Sequence, residues 1–341
     1  MEEDLIGKKA ELVLGGDVKL PEGFEMPFRV SRSAAGPGAG KSSTVFAFDK
    51  FRVKKSISYD SGEFELYING GGYGLTRNGE PFLAHVELVP VVFHCPEQAF
   101  FTLDPRCRFR CAFCTSPLLD RGGVPLTDDE IVGKIREAAK TQKVVAVSLT
   151  SGVVGTVDDT VDRFVSCVTA VRKEFPDMPI GVEPYASSSD HLLRLKRAGA
   201  DEIKLNLESP SETIFEKVCP DLDWNGIWKL LGEAVGIFGK GKVTSNIIFG
   251  MGETDGELEA CMERLCAMGV VPTLRALRTS GANSPALVAA IGVQPPVTKD
   301  RILHLAHMQK TILSKHGLDT LGANTMCLEC TCCDIVPFRD I

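Results

Sequence analysis

The sequence predicts an α/β protein: a partial, TIM-like (β/α)6 barrel with a small β-rich extension before it and a cysteine-rich tail after it. From about residue 98, strand-like apolar runs alternate six times with helical segments. Residues 1–95 are instead rich in Gly and Lys, with short alternating runs parted by turn residues. Four of the chain's 12 cysteines crowd into Cys327-Leu-Glu-Cys330-Thr-Cys332-Cys333. The expected division is an extension at 1–95, a barrel at 96–318 and a tail at 319–341.

In the extension, Thr44–Phe48, Phe51–Val53 and Phe64–Ile68 alternate as half-buried strands do, and Ser61-Gly62, Asn69–Gly72 and Asn78-Gly79 mark turns. Ala35–Ser42 (Ala-Gly-Pro-Gly-Ala-Gly-Lys-Ser) fits a relaxed phosphate-loop pattern. A working phosphate loop follows a buried strand and opens a helix, so that helix N–H groups cradle the phosphates. This run follows Arg29–Ser33 and leads into a β-like stretch, so it reads as a Gly-rich loop over the active site.

The barrel strands are read at Ala99–Leu103, Lys143–Leu149, Ile180–Glu183, Glu202–Leu207, Val243–Phe249 and Pro272–Leu277. Between and after them the helices are expected at 127–142, opened by the capping box Thr127-Asp-Asp-Glu130, and at 157–175, 189–198, 211–218, 224–238, 257–268 and 299–314. Buried strands that alternate with helices form a parallel sheet with right-handed crossovers. In such barrels the catalytic groups gather at the C-terminal strand ends.

At 341 residues the chain can bury a full core, and 44% hydrophobic with 24% charged residues is ordinary for a globular protein. A net charge of −7 and a pI near 5.5 argue against nucleic-acid binding, which needs clustered Lys and Arg. The start, Met-Glu-Glu-Asp-Leu, lacks a signal-peptide pattern, and no apolar run reaches the ~20 residues of a spanning helix. No membrane partner is expected. Cysteine-rich, unsecreted chains use thiols for metal or redox chemistry, so a cytoplasmic, reduced protein is expected.

The chemistry concentrates in Cys107-Arg-Phe-Arg-Cys111-Ala-Phe-Cys114, just after the first barrel strand. A [4Fe–4S] cube wants one thiolate per iron, so a loop with three leaves one iron open to chelate a small molecule. Arg108 and Arg110 add positive charge that favours thiolates. A zinc knuckle with a fourth nearby ligand, or buried structural cysteines, would also fit.

C-x3-C-x2-C with an aromatic, Phe113, before the last cysteine resembles the signature of the radical S-adenosylmethionine (SAM) superfamily, over roughly residues 95 to 320. The resemblance implies that Cys107, Cys111 and Cys114 hold a [4Fe–4S] cluster whose open iron binds SAM. Reduction then yields a 5′-deoxyadenosyl radical that abstracts hydrogen from unactivated carbon. It also implies SAM contacts at strand ends: Thr150, Ser151 and Gly152 on the second, Glu183 on the third, and Asn206 and Glu208 on the fourth. An ordinary turn at 150–152, or a cap at Asn206, would account for those residues equally. Gly250-Met-Gly252-Glu253-Thr254, after the fifth strand, resembles the Gly-Leu-Gly-Glu-Thr segment of biotin synthase and its relatives. Arg275 and Arg278 end the sixth strand, where a guanidinium fork could hold the SAM carboxylate or a substrate carboxylate, or simply form an exposed salt bridge.

Cys327, Cys330, Cys332 and Cys333, with Cys95 as a further candidate, suggest a second [4Fe–4S] cluster, zinc being the alternative. Cys167, Cys219, Cys261 and Cys266 read as core residues. Biotin and lipoyl synthases consume such an auxiliary cluster as a sulfur source. The resemblance to the archaeal biotin-synthase-related, two-component lipoyl synthases implies sulfur insertion into octanoyl-lysine on a lipoyl carrier protein or peptide. A partner radical SAM subunit and a reductant such as ferredoxin would be needed. The C-terminal position of these cysteines departs from classical lipoyl synthase. Electron transfer or substrate anchoring, a metallocofactor maturase, a carbon-rearranging or methylating enzyme, and a non-catalytic metal-binding module stay open.

Overall fold

The protein is described here by a computed structural model covering residues 4–32, 36, 38–119 and 124–341. The first unit opens on α1 (Leu5–Leu14), capped by Asp4, whose carboxylate accepts from the Gly7 N–H. Six strands follow: β1 (Val18–Lys19), β2 (Ser43–Phe48), β3 (Phe51–Ser58), β4 (Phe64–Asn69), β5 (Gly72–Arg77) and β6 (Glu80–Val89). They close into a barrel in the order β1-β3-β2-β6-β5-β4. The closing piece is two-residue β1, parallel to both β3 and β4. The extension is thus β-rich as expected, and β1 seals the seam only at Ile57–Ser58 of β3 and Phe64–Glu65 of β4. Of the phosphate-loop-like run, Ala35 and Pro37 lie outside the described residues. Gly38–Lys41 turns straight into β2, with Lys41 Nζ 2.5 Å from Asp17.

The second unit carries six parallel strands in sequential order: β7 (Gln98–Thr102), β8 (Ala146–Thr150), β9 (Ile180–Glu183), β10 (Glu202–Lys204), β11 (Val243–Phe249) and β12 (Val271–Ala276). Helices α2 (Asp128–Thr141), α3 (Val157–Glu174), α4 (Ser189–Ala198), α5 (Glu212–Val218), α6 (Trp224–Phe238), α7 (Asp255–Met268), α8 (Ser284–Ile291) and α9 (Lys299–Lys315) follow the strands in turn. This is the expected open (β/α)6 arrangement. The Thr127/Glu130 capping box is present, and Thr156/Asp159 and Thr254/Glu257 form two more, each Thr or acid satisfying a helix-end N–H. Among the described residues no helix is long and apolar enough to cross a membrane.

The register gives the sheet two different faces. Alternation in β10 puts Ile203, Leu205 and Leu207 in the apolar core, while Glu202, Lys204 and Asn206 face the other way. Paired neighbours continue that polar face: Gly181 and Glu183, Thr244 and Asn246, Thr273 and Arg275. A polar inner face cannot close on itself as a dry core. The C-terminal tail fills its lower end instead.

The tail passes along the starts of the strands and ends in α10 (Met326–Cys330) and a short coil. Buried Glu202 clamps it, accepting from Asn324 N at 3.0 Å, Thr325 N at 3.0 Å and Thr325 Oγ1 at 2.6 Å, with Lys242 as counter-ion at 2.9 Å. Gln98 brackets Met326, accepting from its N–H at 2.7 Å and donating to its carbonyl at 3.0 Å. From the other side the β3 amide of Lys54 donates to the Cys332 carbonyl at 2.8 Å, and buried Lys9 pairs with Asp340 at 2.7 Å. The tail is therefore held between the two units.

Glu202→Ala would leave the buried Thr325 N–H and hydroxyl without their acceptor, a loss of about 1–3 kcal/mol for each unsatisfied buried donor, while Lys242 stays part-exposed and bonded to the Gly322 carbonyl. Hydrogen exchange should accelerate selectively in residues 320–334, with helix content retained. Uniform acceleration across the chain would show that the clamp is not local.

Candidate active site

The loop bearing Cys107, Cys111 and Cys114 leaves the C-terminal end of β7 and hangs on the end of β8. Gly152 N donates to the Asp104 carbonyl at 2.7 Å, and Arg108 N to the Val153 carbonyl at 2.7 Å. A side chain at 152 would run into the Arg106 carbonyl and come within 2.9 Å of Cys107 Cβ, so the loop can lie this close only over glycine. Val153 N donates to Cys107 Sγ at 3.4 Å, and Ser151 Oγ donates to the Gly152 carbonyl at 2.9 Å. Thr150 pairs with Thr102 and Glu183 across the strand ends. On the far side, Ala112 N donates to the Val218 carbonyl at 2.7 Å. Asn283 Nδ2 donates to the Phe113 carbonyl at 2.9 Å, while the Phe113 ring packs on the core.

All three cysteines are half-buried, and Cys114 lies within electrostatic reach of the other two and of Glu208. Burial pushes the Cys114 thiol up to about 12, the reverse of the lowering expected from Arg108 and Arg110. The reason is that Arg110 is exposed and taken by Asp221 at 2.6 Å, and Arg108 donates to the Gly155 carbonyl at 3.0 Å. These arginines fix the loop's shape. Cys219, read as core, is buried as expected, but its thiol also contacts Cys111.

The other expected residues ring the same strand ends. Glu183 accepts from Asn206 Nδ2 at 2.8 Å and pairs with Lys204 Nζ at 3.1 Å. Glu208 sits at φ +65°, a conformation costing a non-glycine residue about 1–3 kcal/mol, and enclosure raises its carboxyl to about 7. Gly250 and Gly252 take φ +97° and +104°, open to glycine alone at low cost. Glu253, expected as a cofactor contact, has a structural job. Its oxygens accept from Gly250 N at 2.7 Å and Met251 N at 2.8 Å, with Arg301 at 2.8 Å, so it holds the Gly-Met-Gly turn in place. Arg275, expected to hold a carboxylate of SAM or substrate, is half-buried and paired with Asp334 of the tail. Arg278 donates to the Cys333 carbonyl at 3.2 Å. Neither is the exposed salt bridge that was the alternative.

The second cysteine group separates into two. Cys95, Cys330 and Cys332 pack with Val45 and Val91 in an apolar box. The Cys95 and Cys332 thiols donate to Cys330, holding it low and themselves high. Burial raises Cys333 to about 11, against the pull of Arg275. Cys327 stands apart, its Sγ 3.5 Å from the buried ammonium of Lys204. Buried Lys54 faces the thiols from β3 and donates to the His94 carbonyl at 2.6 Å. Lys204, Lys54 and Asn283 were missed at the level of sequence. For Lys204 the signal was there, since Glu202, Lys204, Asn206 and Glu208 put a polar residue at every second position.

Thiols, buried cations and a glycine cradle are the donor set an anionic iron–sulfur cluster requires. Among the described residues no three or more His, Cys, Asp or Glu side chains already stand in an ion-holding arrangement.

Residues 102–265 match the radical SAM superfamily. Over 167 residues the chain is 26% identical to biotin synthase of Nitratiruptor sp., covering 48% of this chain and 58% of that protein. It is 29% identical over 214 residues to lipoyl synthase of Histophilus somni, covering 60% and 64%. The chain thus spans about three-fifths of these relatives' length. In fold it is similar to the FeFe-hydrogenase maturase HydG from Carboxydothermus hydrogenoformans, with TM-score 0.54, 16% identity and coverage of 64% and 51%. It is similar also to methylornithine synthase, with TM-score 0.52, 18% identity and 63% of each chain.

Gly152→Ala should displace the loop by enough to cut SAM cleavage roughly a hundredfold, as small misplacements of reacting groups do. Iron bound at this loop should fall with it while the far-ultraviolet circular dichroism is unchanged. Full iron loading and SAM cleavage in the variant would contradict the cradle.

Proposed function

This chain belongs to the radical SAM superfamily, and from that premise we propose that it inserts sulfur at an unactivated C–H bond, most concretely in lipoyl formation on a carrier-protein lysine. Cys107, Cys111 and Cys114 would hold the SAM-binding [4Fe–4S] cluster. Cluster and SAM together supply a 5′-deoxyadenosyl radical for hydrogen abstraction.

The remaining roles belong to the chain itself. Gly152, Glu183, Asn206, Glu208, Gly250 and Gly252 bound the space at the strand ends where SAM would lie. Glu253 and Asn283 hold the backbone of that rim in position. Cys95, Cys330 and Cys332, with Cys333 beside them, would hold the second [4Fe–4S] cluster, the sulfur donor. Lys54, Lys204 and Arg275 offset its negative charge in a site without bulk water. The substrate is octanoyl-lysine on a lipoyl carrier protein or peptide, the electron source a ferredoxin-like reductant, and the setting the cytoplasm. A second radical SAM subunit as partner belongs to the same reading.

The observation that carries the reading is the pair of separate thiol groups along one strand: one on the loop that leaves the C-terminal end of β7, the other packed on Phe100 within that strand. Similarity to biotin and lipoyl synthases in sequence supports sulfur insertion over other radical chemistry. The test is a single turnover of anaerobically reconstituted full-length protein with SAM, a low-potential reductant and an octanoyl-lysine peptide. The reading expects a peptide heavier by sulfur and loss of one cluster. 5′-Deoxyadenosine with no thiolated peptide and both clusters intact would overturn it in favour of a non-sacrificial second cluster.

A further inference from the structure

We infer that Arg301 is a positioning residue for SAM: it gives the enclosed carboxylate of Glu253 its counter-ion and so fixes the Gly250–Gly252 turn on which SAM would rest. This rests on the reading above that places SAM at the strand ends, and deepens it.

The start of α9 is the first argument. Helices α2, α3 and α7 each open on a Thr whose partner three residues on is an acid: Glu130, Asp159 or Glu257. That acid turns back onto its own helix end. Helix α9 also opens on a Thr, and Thr298 Oγ1 accepts from the backbone N–H of Arg301 at 3.2 Å. Here arginine takes the place of the acid. A cation in the first turn opposes the helix dipole, so the Arg301 charge gains nothing from its own helix. Its side chain leaves α9 for the end of β11.

What the guanidinium meets there is the second. The Glu253 side chain has no exposed surface. Its Oε1 accepts from Gly250 N at 2.7 Å and from Arg301 Nη2 at 2.8 Å, and its Oε2 from Met251 N at 2.8 Å. Arg301 Nη2 also donates to the Glu253 carbonyl at 3.2 Å, and Arg301 Nε to Asp255 Oδ1 at 3.0 Å. One guanidinium thus grips the backbone and the side chain of the residue whose carboxylate holds the turn. A buried carboxylate deprived of its cation is strongly destabilising, so the turn depends on Arg301 as much as on Glu253.

Packing is the third. A Cβ on Gly250 would come within 2.7 Å of Val297 Cγ2, and one on Gly252 within 3.2 Å of Gln294 Oε1. Residues 294–301 therefore cover one side of the turn, with Arg301 as the charged contact that ties them to it. Further along the same two helices, Lys315 of α9 pairs with Glu263 of α7 at 2.8 Å, a tie that does not touch the turn.

The test is equilibrium dialysis of labelled SAM against anaerobically reconstituted, unreduced full-length protein, with iron counting and hydrogen exchange over residues 249–254 on the same samples. Arg301→Ala should weaken SAM binding roughly ten- to a hundredfold, as loss of an outer-shell partner does. Its iron content should be unchanged, and exchange at Gly250 and Met251 faster. Arg301→Lys, a point charge without the fork, should recover part of the lost affinity. Glu253→Gln should weaken binding by a similar factor, and Arg301→Ala added to it should weaken it little further, because the two residues act as one unit. Lys315→Ala should bind SAM as the unmodified chain does. Unchanged SAM affinity in Arg301→Ala, or an equal loss in Lys315→Ala, would overturn the assignment. So would additive losses from the two single changes, or a fall in iron content. Binding is read without turnover, so failure of sulfur insertion leaves Arg301 assigned. Failure of the unmodified chain to bind SAM would remove both the assignment and the reading on which it rests.

Discussion

The carboxylate of Glu202 is buried at the start of β10, and the rest of the molecule is arranged around what it holds. An open sheet of six parallel strands has an inner face that this chain fills with Gln98, Ser148, Glu202, Lys204, Asn206 and Arg275. Such a face is unstable empty, because each buried polar group needs a partner. By fixing Asn324 and Thr325, Glu202 brings Cys327 to Lys204 and Asp334 to Arg275, so the tail satisfies the sheet as the sheet positions the tail. The N-terminal barrel then closes over the tail through Lys54 and Lys9. Three segments distant in sequence thus share one interior.

That interior has an unusual electrostatic balance. Lys54, Lys204, Arg275 and Arg278 all surround cysteines, while Glu183 and Asp334 are the nearby carboxylates. Burial pushes the Cys333 thiol up and the Lys54 ammonium down, so sulfur and cation are both held against their charged forms, and the proposed second cluster would deprotonate the thiols on binding. Buried cations facing thiols are costly in a structural core and useful around an anionic cluster. On the proposed reading, cluster assembly would be joined to the docking of the tail.

Much of this was legible in the residues. The six strand–helix repeats, the Thr127 capping box and the cysteine loop at a strand end follow from periodicity and spacing, which act over a few residues. What escaped depends on contacts between distant segments. Nothing near Val18–Lys19 announces that two residues will close a barrel, and nothing local tells that Cys330 will meet Cys95. Glu253 looked like a ligand because its motif is polar, yet its carboxylate is consumed by the turn that precedes it. Arg110 looked like an electrostatic aid to the thiols until Asp221, 111 residues on, claimed it. Lys204 could have been found, since strict alternation in β10 declares a polar inner face.

The central claim is that the tail and the N-terminal barrel together make a second iron–sulfur site, separate from the one on the Cys107 loop. Iron counting with Mössbauer spectroscopy tests it directly on anaerobically reconstituted full-length protein and on a Cys330→Ala, Cys332→Ala variant. Two cubes predict about eight irons per chain, falling to about four in the variant, with SAM cleavage retained. About four irons in the unmodified chain, or the same iron content in both proteins, would contradict it.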